Sequence, residues 1–271
     1  MESLHCRLRC LATLSLALCL CAASARGVEF IVNGTFEGGG ANVGLSGPLD
    51  GAPDWLPNGW SRVETFSGNV AESSMHWWVA MNGPSAPGVV AMEFVRWAGD
   101  NSSGDWTAIE QPLNIRAADY SSLWLSADVM VLSHDLEAGG WVNPAFEWPA
   151  IVEIDYLDTL GNPQVWRYGW FVDPPGDFVS GQVDDPGQGL IPIYDDLLVQ
   201  PGQWVPNFFD LFAELPEVDT ITNIRVGGSG WLYHSVLDNI SLQGEAIPEP
   251  GSLTLLALGC LALSARRRRR A

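Results

Sequence analysis

The chain has 271 residues, with 32 Asp and Glu against 13 arginines, no lysine, and a formal net charge of −19 at pH 7. Five of the arginines are Arg266–Arg270, so between residues 26 and 247 only Arg26, Arg62, Arg96, Arg116, Arg167 and Arg225 oppose every carboxylate except those of Glu2 and Glu249. That balance excludes nucleic acid, whose phosphates nothing here could neutralise, and it repels anionic polysaccharide unless divalent cations intervene.

The first segment, residues 1–25, carries Arg7 and Arg9, an apolar run from Leu11 to Ala22, and the small residues Ala23-Ser24-Ala25. That order is the pattern of a secretory signal peptide, too short to span a bilayer as a lasting helix. Cys19 and Cys21 each follow leucine, which argues against lipid attachment. Cys6, Cys10, Cys19, Cys21 and Cys260 all lie outside residues 26–247. The central domain therefore has no disulfide and must rest on its own core or on bound metal.

Residues 26–247 are one domain's length and show almost no helical periodicity. Short period-2 runs recur between turn signals, the pattern of an all-β sandwich. Strands are expected at Glu29–Val32, Trp77–Met81, Val89–Val95, Trp106–Leu113 and Ser122–Leu132, then at Ile151–Leu157, Gln164–Val172, Trp204–Phe212, Ile221–Val226 and Val236–Leu242. In Ser122–Leu132 the residues Leu123, Leu125, Ala127, Val129 and Val131 share one face, and Ser126 and Asp128 the other. In Ile151–Leu157 the face with Val152, Ile154 and Tyr156 opposes Glu153 and Asp155. Leu160-Gly161-Asn162-Pro163 is a turn signal. Two stretches rich in Gly, Pro and Asp, Gly38–Asn58 and Asp173–Gly189, read as long loops.

The last segment, residues 248–271, opens with Pro248-Glu249-Pro250, continues as an apolar helix former from Leu253 to Ala265, and ends on Arg266, Arg267, Arg268, Arg269 and Arg270. The apolar run, roughly 20 Å of helix, is shorter than a typical hydrocarbon core. The arginines would stay cytoplasmic while it enters the membrane, a transient anchor. These three parts in this order resemble the PEP-CTERM sorting signal. The resemblance implies an exported protein, held in the membrane by the C-terminal helix before processing, with the export machinery and an exosortase-type enzyme as partners. It is silent on what the domain does.

The domain opens with Ile31-Val-Asn-Gly-Thr-Phe-Glu37 and closes with Val236-Leu-Asp-Asn-Ile-Ser-Leu242. A first strand running into Asn-Gly-x-Phe-Glu and a last strand reading Asp-Asn-Ile-Ser-Leu resemble the galactose-binding-like jelly roll, the group that includes xylan- and glucan-binding modules. The resemblance implies an all-β jelly-roll β-sandwich of about ten strands. It also implies a structural Ca2+ shared by an acidic residue after the first strand and another on the last, here Glu37 and Asp238, with main-chain oxygens completing the shell.

Thirteen tryptophans, all within the domain, supply flat rings suited to sugar faces. Period 2 places Trp166, Tyr168 and Trp170 on one face of Gln164–Val172, and Glu153 or Asp155 on an adjoining strand could bond sugar hydroxyls. The alternative is that this aromatic stripe is core. Trp141 and Trp231 sit in glycine-rich surroundings that suggest loop tips. No Gly-x-Ser-x-Gly elbow and no Cys–His pair occur in the domain, and no carboxylate pair has a distinguishing context, so catalysis is not expected. The sequence points to an exported surface or matrix protein that binds neutral glycan or exopolysaccharide without catalysis. The alternative is a structural or protein-interaction role in the matrix with no sugar site.

Overall fold

A computed structural model describes residues 27–43, 55–65, 73–80, 89–96, 106–134, 140–142, 145–172, 193–229 and 233–247. The expected signal peptide at 1–25, the expected sorting tail at 248–271, the stretch Asp173–Gly189 and Trp231 lie outside the described residues. Two six-stranded sheets face each other. Sheet one has the order β14 (Val205–Asp210), β8 (Tyr120–His134), β16 (Tyr233–Ala246), β6 (Val89–Arg96), β5 (Ser73–Ala80), with β1 (Val28–Glu29) also paired to β16. Sheet two has the order β13 (Ile193–Leu198), β12 (Pro163–Phe171), β11 (Ala150–Asp158), β15 (Val218–Ser229), β7 (Trp106–Arg116), β4 (Ser61–Thr65). Two small ribbons, β2 (Gly40–Asn42) with β3 (Trp55–Pro57) and β9 (Gly140–Val142) with β10 (Ala145–Glu147), stand apart. The chain crosses between sheets from β6 to β7 to β8 to β11, and again from β14 to β15 to β16, which makes the sandwich a jelly roll.

Alternation decides the core. On β8, Leu123, Leu125, Ala127, Val129 and Val131 are all buried, facing Val152, Ile154 and Tyr156 of β11. Each Leu, Val or Ile among them contributes about 1.5–3 kcal/mol on leaving water, which is how a domain without disulfides holds together.

Two expected strands are shorter than the sequence suggested. The first, expected at Glu29–Val32, pairs only over Val28–Glu29. Beyond it the Glu29 carboxylate accepts from the Ile31 and Leu242 amides, and the Gln111 side chain bonds both the amide and the carbonyl of Val32 in place of a neighbouring strand. The strand expected at Trp204–Phe212 ends at Asp210, whose carboxylate accepts from the Phe212 amide and caps a single helical turn, α1 (Leu211–Glu214). The expected loop at Gly38–Asn58 contains the β2–β3 ribbon. The expected turn after β11 is present. Asp158 Oδ1 accepts from the amides of Leu160 and Asn162, and Gly161 takes a φ of 79° that favours glycine.

Candidate functional site

The Asn-Gly-x-Phe-Glu segment folds as a turn clamped against β16. Asn33, at a φ of 54°, accepts the Gly38 amide at 2.6 Å and donates to the carbonyls of Gly39 and Asn58. Phe36, at a φ of 57°, is buried against Trp60. Gly34 meets Ile240 back to back: the Ile240 amide donates to the Gly34 carbonyl at 2.9 Å, and a Cβ on Gly34 would lie 1.7 Å from the Ile240 oxygen. Here β16 bulges between Asp238 and Ser241, with Asn239 at a φ of 52°.

That contact brings three carboxylates together. Asp238 is fully buried; one of its oxygens accepts the Asn239 amide at 2.7 Å and the other, Oδ2, has no hydrogen-bond partner. Asp128 is its cross-strand neighbour on β8 and accepts from the Asn239 side chain at 2.6 Å. Glu37 accepts the Val90 amide at 2.6 Å and lies close enough to act on the Asp238 charge. Burial first, then the negative charges of Asp128 and Glu37, push the Asp238 pKa up to about 7. Burial likewise raises that of Asp128. Among the described residues no three His, Cys, Asp or Glu side chains converge tightly enough to hold a metal by themselves, so a cation here would draw on main-chain oxygens as well. A buried, unpartnered carboxylate oxygen beside two further carboxylates fits a hard cation such as Ca2+. The sequence singled out Glu37 and Asp238. Asp128 was invisible because only the β8–β16 register puts it opposite Asp238.

The Trp166–Tyr168–Trp170 stripe is not an open platform. Trp166 and Trp170 are 1% and 0% exposed, and Tyr168 is half-buried against the same core. All three rings pack on Phe209 of β14, with centroids 5.3, 4.8 and 6.4 Å away in chain order. The Trp170 indole N–H donates to Asn207, a buried amide that in turn donates to the Ala127 and Val205 carbonyls. A jelly roll needs large inward residues to fill the space between its sheets, and this stripe supplies them. Glu153 and Asp155 lie on the opposite face of sheet two, away from these rings.

On that outer face the cross-strand register lines up Arg167, Glu153, Arg225 and Glu110. Glu153 is ion-paired to both arginines, and Arg225 Nη2 reaches Glu110 at 2.9 Å. Asn223 donates to Glu110 at 3.1 Å and to Asp155 at 3.2 Å. Burial raises the Glu153 pKa and lowers that of Arg167. Burial also works against the Arg225 charge, but Glu153, Glu110 and Asp155 outweigh it and its pKa rises. One row along, Gly169 makes room for Trp148, to which a Cβ would come within 2.2 Å. Trp148 packs there with Ala108, Ile151 and Val63. The outer face of sheet two is thus apolar at one end and a charged ladder at the other, with Arg225, Glu110, Asn223 and Asp155 partly open to solvent. Trp141 lies on β9, paired with Phe146 of β10.

The architecture defines a class, the jelly-roll β-sandwich, and the chain is similar to several solved structures. One is the family 11 carbohydrate-binding module of Lic26A-Cel5E from Clostridium thermocellum: 12% identity, 78% of this chain and 98% of that one covered, TM-score 0.35. Another is the xylan-binding CBM22-1 domain of Xyn10C from Paenibacillus barcinonensis: 11% identity, 83% and 100% covered, TM-score 0.38. A cyclase from Fischerella sp. TAU is similar at 12% identity, 82% and 100% covered, TM-score 0.40. No curated protein matches the chain. Residues 246–270 match the PEP-CTERM protein-sorting motif, which marks an exported protein anchored at the membrane before processing. Among the described residues no helix is long and apolar enough to cross a membrane.

Proposed function

We propose that the protein is displayed at the cell surface or in the extracellular matrix, where its sandwich binds a neutral glycan without catalysis. The observation that carries this reading is the ladder on the outer face of sheet two. There Arg225, Glu110, Asn223 and Asp155 present fixed donors and acceptors on rigid strands, already held by one another. Sugar hydroxyls both donate and accept, so a surface alternating the two suits them, and groups braced on strands lose little entropy on binding. The sorting motif, which marks an exported protein, supports this reading. The exosortase-type enzyme is its processing partner in this reading.

Calcium belongs to the same proposal. Glu37, Asp238 and Asp128, with main-chain oxygens of the first turn and of the β16 bulge, hold Ca2+. The ion offsets the charge of the buried Asp238 and ties the first turn to the last strand in place of a disulfide.

The test is affinity electrophoresis and calorimetry of the full-length protein against xylan, mixed-linkage glucan and the host's own exopolysaccharide. Recovery of each glycan is checked for shortened chains. Saturable binding, weakened in an Asn223→Ala/Glu110→Gln variant that keeps its melting temperature, with every glycan recovered intact, is the expected result. Binding that the variant leaves unchanged would remove this face from consideration. Failure to bind any glycan would favour a structural or protein-interaction role.

A further inference from the structure

Among the described residues, two aromatic rings on the outer face of sheet one are not used by the core. Trp124 of β8 is 49% exposed and Phe208 of β14 is 73% exposed. Register puts them together. Phe208 pairs with Ser126 and Asp210 with Trp124, so the two rings are diagonal neighbours on one face of adjacent strands. Their Cβ atoms are then about 7–8 Å apart or somewhat less, within reach of a single chain lying across both. The inward partners of this strand pair, Asn207 with Ala127 and Phe209 with Leu125, are buried, which fixes Trp124 and Phe208 as outward.

Apart from Pro206, which shares the outward face of β14 with Phe208, the described neighbours of the rings are polar and none is a cation. Gln243 of β16 pairs with Trp124 on its other side and is exposed, and Ser241 continues the row from Ser126. Asp210, Asp128 and Glu29 supply negative charge at the margins. The strands β14, β8 and β16 contain no lysine and no arginine. Such a face repels anionic polysaccharide, anionic lipid headgroups and a second copy of a chain whose net charge is −19. A flat strand surface with exposed rings, amide and hydroxyl groups between them and no positive charge matches an uncharged, ribbon-like polysaccharide. The apolar face of its sugars covers the rings while the hydroxyl edges meet Gln243, Ser126 and Ser241.

The geometry points to a second glycan-binding surface on sheet one, centred on Trp124 and Phe208, for extended neutral polysaccharide. It extends the glycan-binding reading, since it lies on the opposite side of the sandwich from the Arg225–Glu110 ladder. A molecule gripping glycan on both faces bridges two strands of a matrix and gains avidity from doing so.

The experiment uses full-length protein on two probes, insoluble microcrystalline cellulose and soluble mixed-linkage oligosaccharide. Three forms are compared: wild type, Trp124→Ala/Phe208→Ala, and Asn223→Ala/Glu110→Gln. Unchanged melting temperatures verify the fold of each variant. Retention on insoluble cellulose is expected to fall about tenfold in the Trp124→Ala/Phe208→Ala form. Loss of soluble-oligosaccharide affinity in the Asn223→Ala/Glu110→Gln form alone would support sheet two and leave the sheet-one result to stand by itself. The inference is overturned if the Trp124→Ala/Phe208→Ala protein is retained like wild type, or if wild type is retained on no polysaccharide.

Discussion

Two aromatic stripes, one on each sheet, were built by the same period-2 rule and met opposite fates. Trp166, Tyr168 and Trp170 on β12 face inward and pack on Phe209. Trp124 on β8 and Phe208 on β14 face outward into solvent. Alternation assigns residues to one face or the other of a strand but does not say which face meets the opposing sheet. What decides it is the neighbour. On β8 the outward set is Trp124, Ser126 and Asp128, and the inward set is uniformly aliphatic. On β12 the outward set contains Arg167, which pairs with Glu153, and Gly169, which makes room for Trp148. A tryptophan sharing a strand face with serine and aspartate is the better guide to an open ring.

The widest separation between the stripes is in stability. Trp170→Ala removes a buried ring and strands the Asn207 amide, and is expected to cost about 3–5 kcal/mol in chemical denaturation. Trp124→Ala is expected to stay within about 0.5 kcal/mol of wild type. Equal losses at the two sites would undo the contrast. Glu153→Gln is expected to cost about 3 kcal/mol or more, since it leaves Arg167 and Arg225 without their shared counter-charge.

A smaller effect probes the third region, at the first turn. With calcium chelated, Asp238 has a folded pKa of about 7 against an ordinary value of 3.8, so the folded state binds the extra proton in between. This group's contribution to stability is full below about pH 4 and is lost as pH rises through 7. The melting temperature in chelator, corrected with an Asp238→Asn control, should therefore fall between pH 5 and 8. Added Ca2+ should restore it at pH 8 and have little effect at pH 5, where the carboxyl is protonated. A melting temperature indifferent to chelator at every pH would remove calcium from the account.

The fold was legible because most of its strands carry their alternation openly, as β8 and β11 do. What was not legible depended on long-range register. Val32 leaves its strand because Gln111, 79 residues away, takes over its hydrogen bonds. Asp128 joins Glu37 and Asp238 only through the β8–β16 pairing, and Trp124 meets Phe208 only through β8–β14. The strands β2, β4, β9, β10 and β13 are short and carry no clean period, so nothing local distinguished them from loop.

The central claim is that the domain holds neutral glycan and leaves it intact. It is tested most directly by calorimetric titration of the full-length protein, with Ca2+ present, against soluble mixed-linkage glucan and xylan, followed by chain-length analysis of the recovered sugar. Saturable heat and unshortened chains are expected. Absence of heat with both glycans and with the host exopolysaccharide, or steady release of shorter oligosaccharides, would contradict the claim.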